Sequence, residues 1–441
     1  MTVLLFTDSD VFAGTERHIF DLASALRDEN LQVTVACPVP SPLAAQCQNA
    51  RLRVLDVPKS GLIDWKAIRV LRRLLRSEKV AVVHAHNART ALLSALAIIL
   101  ARRGRLVTTQ HALWHKRTLQ NGLKAKISLR AHRWLAGQTH GVIAISDAVR
   151  DLLVGRGDNG AKIVVVRNGI PDISQLEVSQ LEVSQPDVSQ LDNPHLEADQ
   201  HDNPQRDNPQ RSVSQLEVSQ LDGEQRENSQ RESAHRVLER AFEDAQTLRE
   251  KLEIGDAPFV DAPFVFCAAR LEREKDLSTL VSAMKTVAET AHDARCLVAG
   301  EGVLRDELQR QIDELELRNH ICLLGFRDDV LSLMRACDVF VLPSLAEPFG
   351  LVLVEAMALG KPVVATDAGG PREIVQDGES GFLVAPSQPR ELADALLKLL
   401  NDEDARAQMG RKARARYETH FTAKRMAQET ADVYRKANPK R

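Results

Sequence analysis

Residues 338–384 read DVFVLPSLAEPFGLVLVEAMALGKPVVATDAGGPREIVQDGESGFLV. Three β-branched runs mark strands in it, DVFVLP (338–343), KPVVAT (361–366) and GFLVAP (381–386), each followed by a helical stretch. They are continuously apolar rather than alternating, as burial on both faces of a parallel sheet requires. The loop after the first run carries Glu347, Pro348-Phe349-Gly350 opens a helix, and Glu355 lies eight residues beyond Glu347. A helix start offers unpaired backbone N–H groups and a positive dipole end, which suit a phosphate. Gly350 lets a ligand approach the backbone closely. The two carboxylates can accept hydrogen bonds from vicinal hydroxyls of the kind a ribose or pyranose presents. Two Glu eight apart are weak evidence alone. With the strand–loop–helix setting and the Gly369-Gly370 loop after the next strand, they become a site.

The same rhythm extends backwards through FVFCAA (264–269), ARCLVAG (294–300) and HICLLG (320–325). It recurs in the first 170 residues as TVLLFT (2–7), QVTVAC (32–37), LRVLDV (52–57), VAVVHA (80–85), RLVTTQ (105–110), GVIAIS (141–146) and KIVVVR (162–167). Between the first two runs, Ile19, Leu22, Ala23 and Leu26 fall on one face of a helix. Strands separated by helices predict right-handed βαβ units and an open, doubly wound sheet in each half. Ligands of such sheets bind at the carboxyl ends of the strands, so the cleft between the halves is the expected site. The last 40 residues read as entirely helical.

Between the halves, Leu176–His235 divides into twelve consecutive pentamers, beginning LEVSQ, LEVSQ, PDVSQ and ending RENSQ, RESAH; ten end in Gln and two in His. A period of five fits neither helix nor strand. The segment is polar, with four Pro and no aromatic residue, so it is expected to be a disordered insert. The expected division is therefore a first α/β domain over 1–172, the repeat insert over 173–235, a second α/β domain over 236–420, and a C-terminal helix over 421–441 that could pack back on the first domain.

The chain has 441 residues, 44% of them apolar and 27% charged, with 58 Lys+Arg against 61 Asp+Glu. That length suits two cores, since single cores stop growing at about 250–300 residues. A net charge near −3 argues against a nucleic-acid binder. The start leads directly into a strand, and the longest nearly pure apolar run, 91–101, is shorter than the roughly 17–25 residues that span a bilayer. The expectation is a cytoplasmic protein. The six Cys form no CxxC pair and no Cys-His cluster, and are expected to be reduced, buried thiols. No Walker loop is present and no full G-x-G-x-x-G follows a strand, which counts against an ATPase or a dehydrogenase.

At residues 338–384 the chain resembles the nucleotide-sugar site of retaining glycosyltransferases of family 4, whose GT-B architecture faces two Rossmann-like domains. The family's E-x7-E motif falls on Glu347 and Glu355, and its Gly-Arg-Leu followed by Lys resembles Ala269-Arg270-Leu271 with Lys275. GEG (300–302) matches its Gly-x-Gly turn, Ala13-Gly14-Thr15-Glu16-Arg17-His18 its N-terminal Gly-Gly loop, and NGIP (168–171) the end of its first domain. The resemblance covers essentially the whole chain except the insert and the residues just around it, and implies that 1–172 is the acceptor-side domain and 236–420 the nucleotide-sugar-binding domain. It departs in two places: Ala13 replaces the first Gly of the pair, and Asp276 replaces the Gly after the phosphate-binding Lys.

The resemblance implies roles that the chemistry of these residues supports. Arg270 and Lys275 would hold the donor diphosphate and stabilise the leaving charge. Backbone N–H groups of Phe349, Gly350 and Leu351 would meet sugar and phosphates, and Gly14 would let the N-terminal loop close over them. Glu347 would contact the transferred sugar, Glu355 the ribose, and His111 would orient the sugar near the reacting centre. Configuration would be retained by front-face departure, with no cofactor and no tightly bound metal. The implied donor is a UDP-sugar or a GDP-sugar, and the implied acceptor a lipid-linked or polysaccharide chain of the cell envelope. The competing readings are a sugar-nucleotide epimerase and a non-catalytic sugar-nucleotide-binding module.

Three further features bear on metal binding and on the surface. His84 and His86 have metal-like spacing but end a buried strand with no carboxylate nearby, and Asp8-Ser9-Asp10 reads as a loop entering the first helix; neither is expected to hold a metal. No acidic residue lies between Glu78 and Asp147, while Lys79, Arg89, Arg102, Arg103, Arg105, Lys116, Arg117, Lys124, Lys126, Arg130 and Arg133 are basic, with Trp114 and Trp134 beside them. Such a face suits an anionic glycan or a peripheral position on an anionic membrane, and equally suits a solvated helix.

Overall fold

The computed structural model describes residues 1–57, 59, 61, 64–112, 134–174 and 262–439, together with the backbone of 253–254 and 257–258. The first unit runs β1 (Thr2–Phe6), α1 (Gly14–Asp28), β2 (Gln32–Cys37), α2 (Pro42–Asn49), β3 (Arg53–Asp56), α3 (Trp65–Ser77), β4 (Val82–Ala85), α4 (Ala88–Ala101), β5 (Arg105–Gln110), β6 (Gly141–Ala144), α5 (Asp147–Gly155) and β7 (Ile163–Val165). All seven strands form one parallel sheet in the order β3-β2-β1-β4-β5-β6-β7. The order reverses between β1 and β4, so the loops after these two strands open a crevice at their carboxyl ends.

The second unit runs β8 (Phe264–Ala268), α6 (Leu277–Thr290), β9 (Arg295–Ala299), α7 (Arg305–Glu314), β10 (Ile321–Gly325), α8 (Val330–Ala336), β11 (Val339–Leu342), α9 (Leu351–Ala358), β12 (Val363–Thr366), α10 (Pro371–Ile374), β13 (Gly381–Val384), α11 (Pro389–Leu400), α12 (Glu403–His420) and α13 (Ala423–Ala437). Its six strands are also parallel, in the order β10-β9-β8-β11-β12-β13, with the switch point between β8 and β11. Among the described residues, each crossover except that from β5 to β6 carries one of these helices, and such crossovers keep the sheets parallel. Ile19, Leu22, Ala23 and Leu26 of α1 are fully buried, which is the face that their spacing predicts.

The C-terminal helical stretch is two helices, broken at Phe421-Thr422, rather than one continuous run. The break is where the chain crosses between units. Ile170 N–H donates to Phe421 O (3.0 Å) and Ala423 N–H to Ile170 O (2.8 Å), and a side chain on Gly169 would sit 2.2 Å from Thr422 O. The NGIP segment is therefore glycine-bearing because a second backbone lies against it. Beyond the break, α13 packs on the first unit, where Met426, Ala427, Ala431 and Tyr434 join the core of α1 and β2.

The units share one apolar cluster, in which Ala144, Ile145, Ile170 and Ile173 pack with Phe349, Leu353, Tyr417 and Phe421. Polar contacts pin the same seam: Asp147 N–H donates to Glu373 (2.6 Å), Arg167 pairs with Glu373 (2.9 Å) and Arg414 with Asp172 (2.6 Å). Five of the six Cys are buried and Cys322 is half-buried, all as free thiols; burial pushes the Cys47 and Cys267 thiols up to about 12. None of the described helices is long and apolar enough to cross a membrane. The pentamer array lies outside the described residues, as do Trp114, Lys116, Arg117, Lys124, Lys126, Arg130 and Arg133 of the basic region.

Candidate active site in the cleft

The second unit's half of the site is built on the loops after β8 and β11. Lys275 Nζ donates to Glu347 Oε2 at 2.6 Å, with both side chains mostly buried, and Glu347 Oε2 also lies 3.4 Å from Ser344 Oγ. Glu347 is held by its backbone as well, since its N–H donates to Ala368 O (3.3 Å) and its carbonyl accepts from Gly370 N–H (2.8 Å). Gly370 has no alternative, because a Cβ there would stand 2.3 Å from Phe349 Cα. Gly350 caps α9 with φ 107, and no side chain caps the first N–H groups of the helix.

Arg270 follows β8 and is exposed, paired with Glu272 (2.6 Å) and Glu274 (2.7 Å). It is thus not gathered into the Lys275–Glu347 pair. Asp276 explains its own departure from glycine. It occupies a left-handed conformation (φ 47), and its carboxylate accepts from Thr279 (2.8 Å) and Ser387 (3.1 Å), so those hydroxyls engage the charge beside Lys275. Gly300 takes φ 135 with its Cα against the Ala269 carbonyl, a backbone approach that only glycine permits.

The first unit's half lies on the loops after β1, β4 and β5. Ala13 is extended (φ −134), so its position does not need glycine, and its N–H donates to Glu16 (3.1 Å) to start α1. Gly14 faces the other unit, where a Cβ on it would lie 3.9 Å from Leu351 Cδ1 at the start of α9. Ser146 ties the halves together by donating to Pro348 O (2.7 Å) while capping α5 through Val149 N–H (3.2 Å).

Glu355, one turn into α9, points across the cleft toward α1. Burial pushes its carboxyl up to about 7; the Arg17 charge draws it back down and Asp21 adds to the rise. Arg17 itself is paired with buried Asp21 (3.0 Å). His111 stands at the end of β5 with Nε2 3.1 Å from His86 Nδ1, and His18 from α1 packs edge-on against it (ring centres 4.8 Å). Burial pushes all three imidazoles down, His18 to about 4, so they are neutral near pH 7.

Arg17, His18, Asp21 and His86 were not singled out as site residues from the sequence. The signal was present, because the first turns of a helix that follows β1 necessarily look into the crevice. The two strand-end His separate in role. His84 is enclosed, bonded to Tyr434 of α13 (2.7 Å) and to Thr109 (2.6 Å), while His86 turns to His111. Asp8 of the Asp-Ser-Asp loop accepts from Asn87 Nδ2 (2.6 Å) and from Arg89 (2.5 Å), fastening the loops after β1 and β4 to each other. Arg89 thereby leaves the basic face, on which Lys79, Arg102 and Arg103 remain exposed.

Two family models match the chain: Glycosyltransferase Family 4 over residues 12–172, and Glycosyl transferases group 1 over residues 249–416. The chain is 28% identical over 197 residues to the alpha-D-kanosaminyltransferase of Streptomyces kanamyceticus, covering 44% of this chain and 51% of that protein. It is 36% identical over 163 residues to the phosphatidyl-myo-inositol mannosyltransferase of Mycobacterium leprae, covering 36% and 43%. The chain spans about half the length of the first curated relatives it matches. Its fold follows that of Anabaena HepE in complex with UDP, with a TM-score of 0.72 and 23% identity over 98% of this chain and 99% of the other.

Proposed function

Since the chain belongs to the family 4 type of glycosyltransferase, with a family 4 module followed by a group 1 module, we propose that it is a retaining enzyme that moves a sugar from a UDP-sugar, or a GDP-sugar, to a lipid-linked or polysaccharide acceptor in cell-envelope glycan synthesis. The observation that carries this reading is the convergence on one cleft of the Lys275–Glu347 pair, the open start of α9 and the Gly14 loop. The similarly folded HepE in complex with UDP, and the relative that is a phosphatidyl-myo-inositol mannosyltransferase, support the choice of donor and acceptor class.

In this reading the diphosphate lies over the start of α9, between Lys275 and an Arg270 released from its exposed acidic partners. The N–H groups of Phe349, Gly350 and Leu351 donate to sugar and phosphate oxygens, and Gly14 leaves room for both to be covered. Glu347 accepts from the sugar hydroxyls and Glu355 from the ribose. The anomeric carbon–oxygen bond to the diphosphate breaks as the acceptor oxygen attacks the same face. The departing phosphate oxygen takes the acceptor's proton, so no separate general base is needed, and His111 orients the sugar. Charge on the leaving group is met by Lys275, Arg270 and the helix start, so turnover needs no tightly bound metal and no cofactor. The protein would work in the cytoplasm, peripherally at the inner face of the membrane, where Lys79, Arg102 and Arg103 would meet anionic lipid.

Melting the protein with UDP, GDP and ADP tests the donor, because a ligand that binds only the folded state raises apparent stability. The expected result is a shift with UDP or GDP, together with transfer or donor hydrolysis by the matching nucleotide-sugar. No shift with any of the three would sink the reading.

A further inference from the structure

We infer that His18, His86 and His111 form a tris-imidazole site for a transition-metal dication of the zinc class, and that its occupancy blocks transfer. The three side chains come from α1, the loop after β4 and the loop after β5, and one nitrogen from each lies within 4.8 Å of the others. Their ring centres are 4.8, 5.4 and 5.6 Å apart. Three imidazoles bound tetrahedrally at about 2.0–2.1 Å would place their ring centres about 5.2 Å apart and their nitrogens about 3.4 Å apart. The rings therefore already stand at coordinating separations and need only rotate to converge.

The second observation is unmet bonding. His18 and His86 are buried; Asn168 lies close enough to His18 to favour its proton, yet neither nitrogen of His18 nor Nε2 of His86 makes a hydrogen bond of good geometry. Leaving such an atom unpartnered costs about 1–3 kcal/mol, so the open ring of His18, which faces the His86–His111 pair, points to a missing ligand. Their neighbour His84 shows the contrast, with both of its nitrogens bonded. The cluster has no carboxylate, and a set of neutral imidazoles selects zinc-like ions over magnesium or calcium.

The protons balance. The N–H now shared between His86 Nδ1 and His111 Nε2, 3.1 Å apart, moves to the far nitrogen of its own ring, and the metal takes its place. Three neutral ligands then hold the dication and water fills the fourth position, with no net proton released from the rings. The inhibitory consequence rests on the reading of His111 as the residue that orients the sugar, since a metal-bound His111 no longer can.

The test titrates the full, chelator-treated chain with Zn²⁺ against a chromophoric competing chelator, and with Co²⁺ followed by its visible absorption. One equivalent per chain with four-coordinate Co²⁺ bands is expected. Zn²⁺ should inhibit transfer and chelator should restore it, while Mg²⁺ does neither. His18→Leu removes a ligand and an unmet buried polar group, and should weaken Zn²⁺ binding at least about 100-fold. If that variant does not fold, His111→Ala at a partly exposed position should show the same loss. Absence of stoichiometric binding, or unchanged binding in the folded variant, overturns the proposal. The titration reads metal alone, so its failure leaves the transfer reading standing, and a chain that binds Zn²⁺ yet transfers no sugar counts only against the latter.

Discussion

Replacing Glu355 by Gln should stabilise the protein while damaging donor binding. The carboxyl sits at about 7 in the fold against an ordinary 4.5, chiefly because burial disfavours its charge. An acid raised in this way keeps its proton in the folded state after the unfolded chain has lost it. Stability therefore falls as pH climbs from 4.5 through 7, and the penalty is complete above 7. At about 1.36 kcal/mol per pH unit, the gap sets an upper bound of roughly 3 kcal/mol. Glu355 is only partly shielded from solvent, which reduces the expected gain of Glu355→Gln to about 1–2 kcal/mol. For a domain of this size that raises Tm by about 2–6 °C at pH 8.5. The gain should shrink steadily toward pH 5. Donor binding should move the other way. A carboxylate that accepts from ribose hydroxyls contributes charge-assisted bonds worth about 1.5–3 kcal/mol each, so UDP affinity should drop about 10–100-fold in the variant. In the wild-type protein it should weaken as pH falls through 7. Thermal melts at pH 5.5, 7 and 8.5, with and without UDP, measure both effects. A variant less stable than wild type at pH 8.5 would refute the burial argument, and unchanged UDP affinity would remove Glu355 from the ribose.

Arg270→Ala should lower transfer by about 10²–10³ through loss of one positive charge at the diphosphate, with little change in melting because its present partners are exposed; wild-type transfer would rule out the phosphate role. Gly300→Ala should destabilise the second unit by about 2–4 kcal/mol, since the added Cβ would stand 2.0 Å from Ala269 O at φ 135; a denaturation midpoint equal to wild type would contradict that approach. Deleting Leu176–His235 should leave turnover within about threefold, because loop-closure cost changes only logarithmically with length; a folded deletion variant without activity would make the repeats part of the working site. Turnover should persist in chelator without added divalent ion, and strict dependence on such an ion would contradict the charge assignments in the cleft.

The sequence by itself determined the two parallel sheets. Continuous β-branched runs and the Ile19, Leu22, Ala23 and Leu26 stripe depend on neighbours one or two turns away, and periodicity records such neighbours directly. It also marked the second unit's candidate site, because Glu347, Gly350, Glu355, Gly369 and Gly370 lie within one strand–loop–helix–strand segment whose geometry is local. Only the tertiary structure decided what depends on side chains from distant parts of the chain. It broke the C-terminal helix at Phe421-Thr422, where a second backbone must pass Gly169. It turned Arg89 inward onto Asp8, 81 residues away, and set Asp276 in a left-handed turn with hydroxyl partners. It brought His18 of α1 together with His86 and His111 from the loops after β4 and β5. Spacing along a chain carries no signal for such meetings, because the switch point of the sheet, and not sequence distance, decides which loops share a crevice.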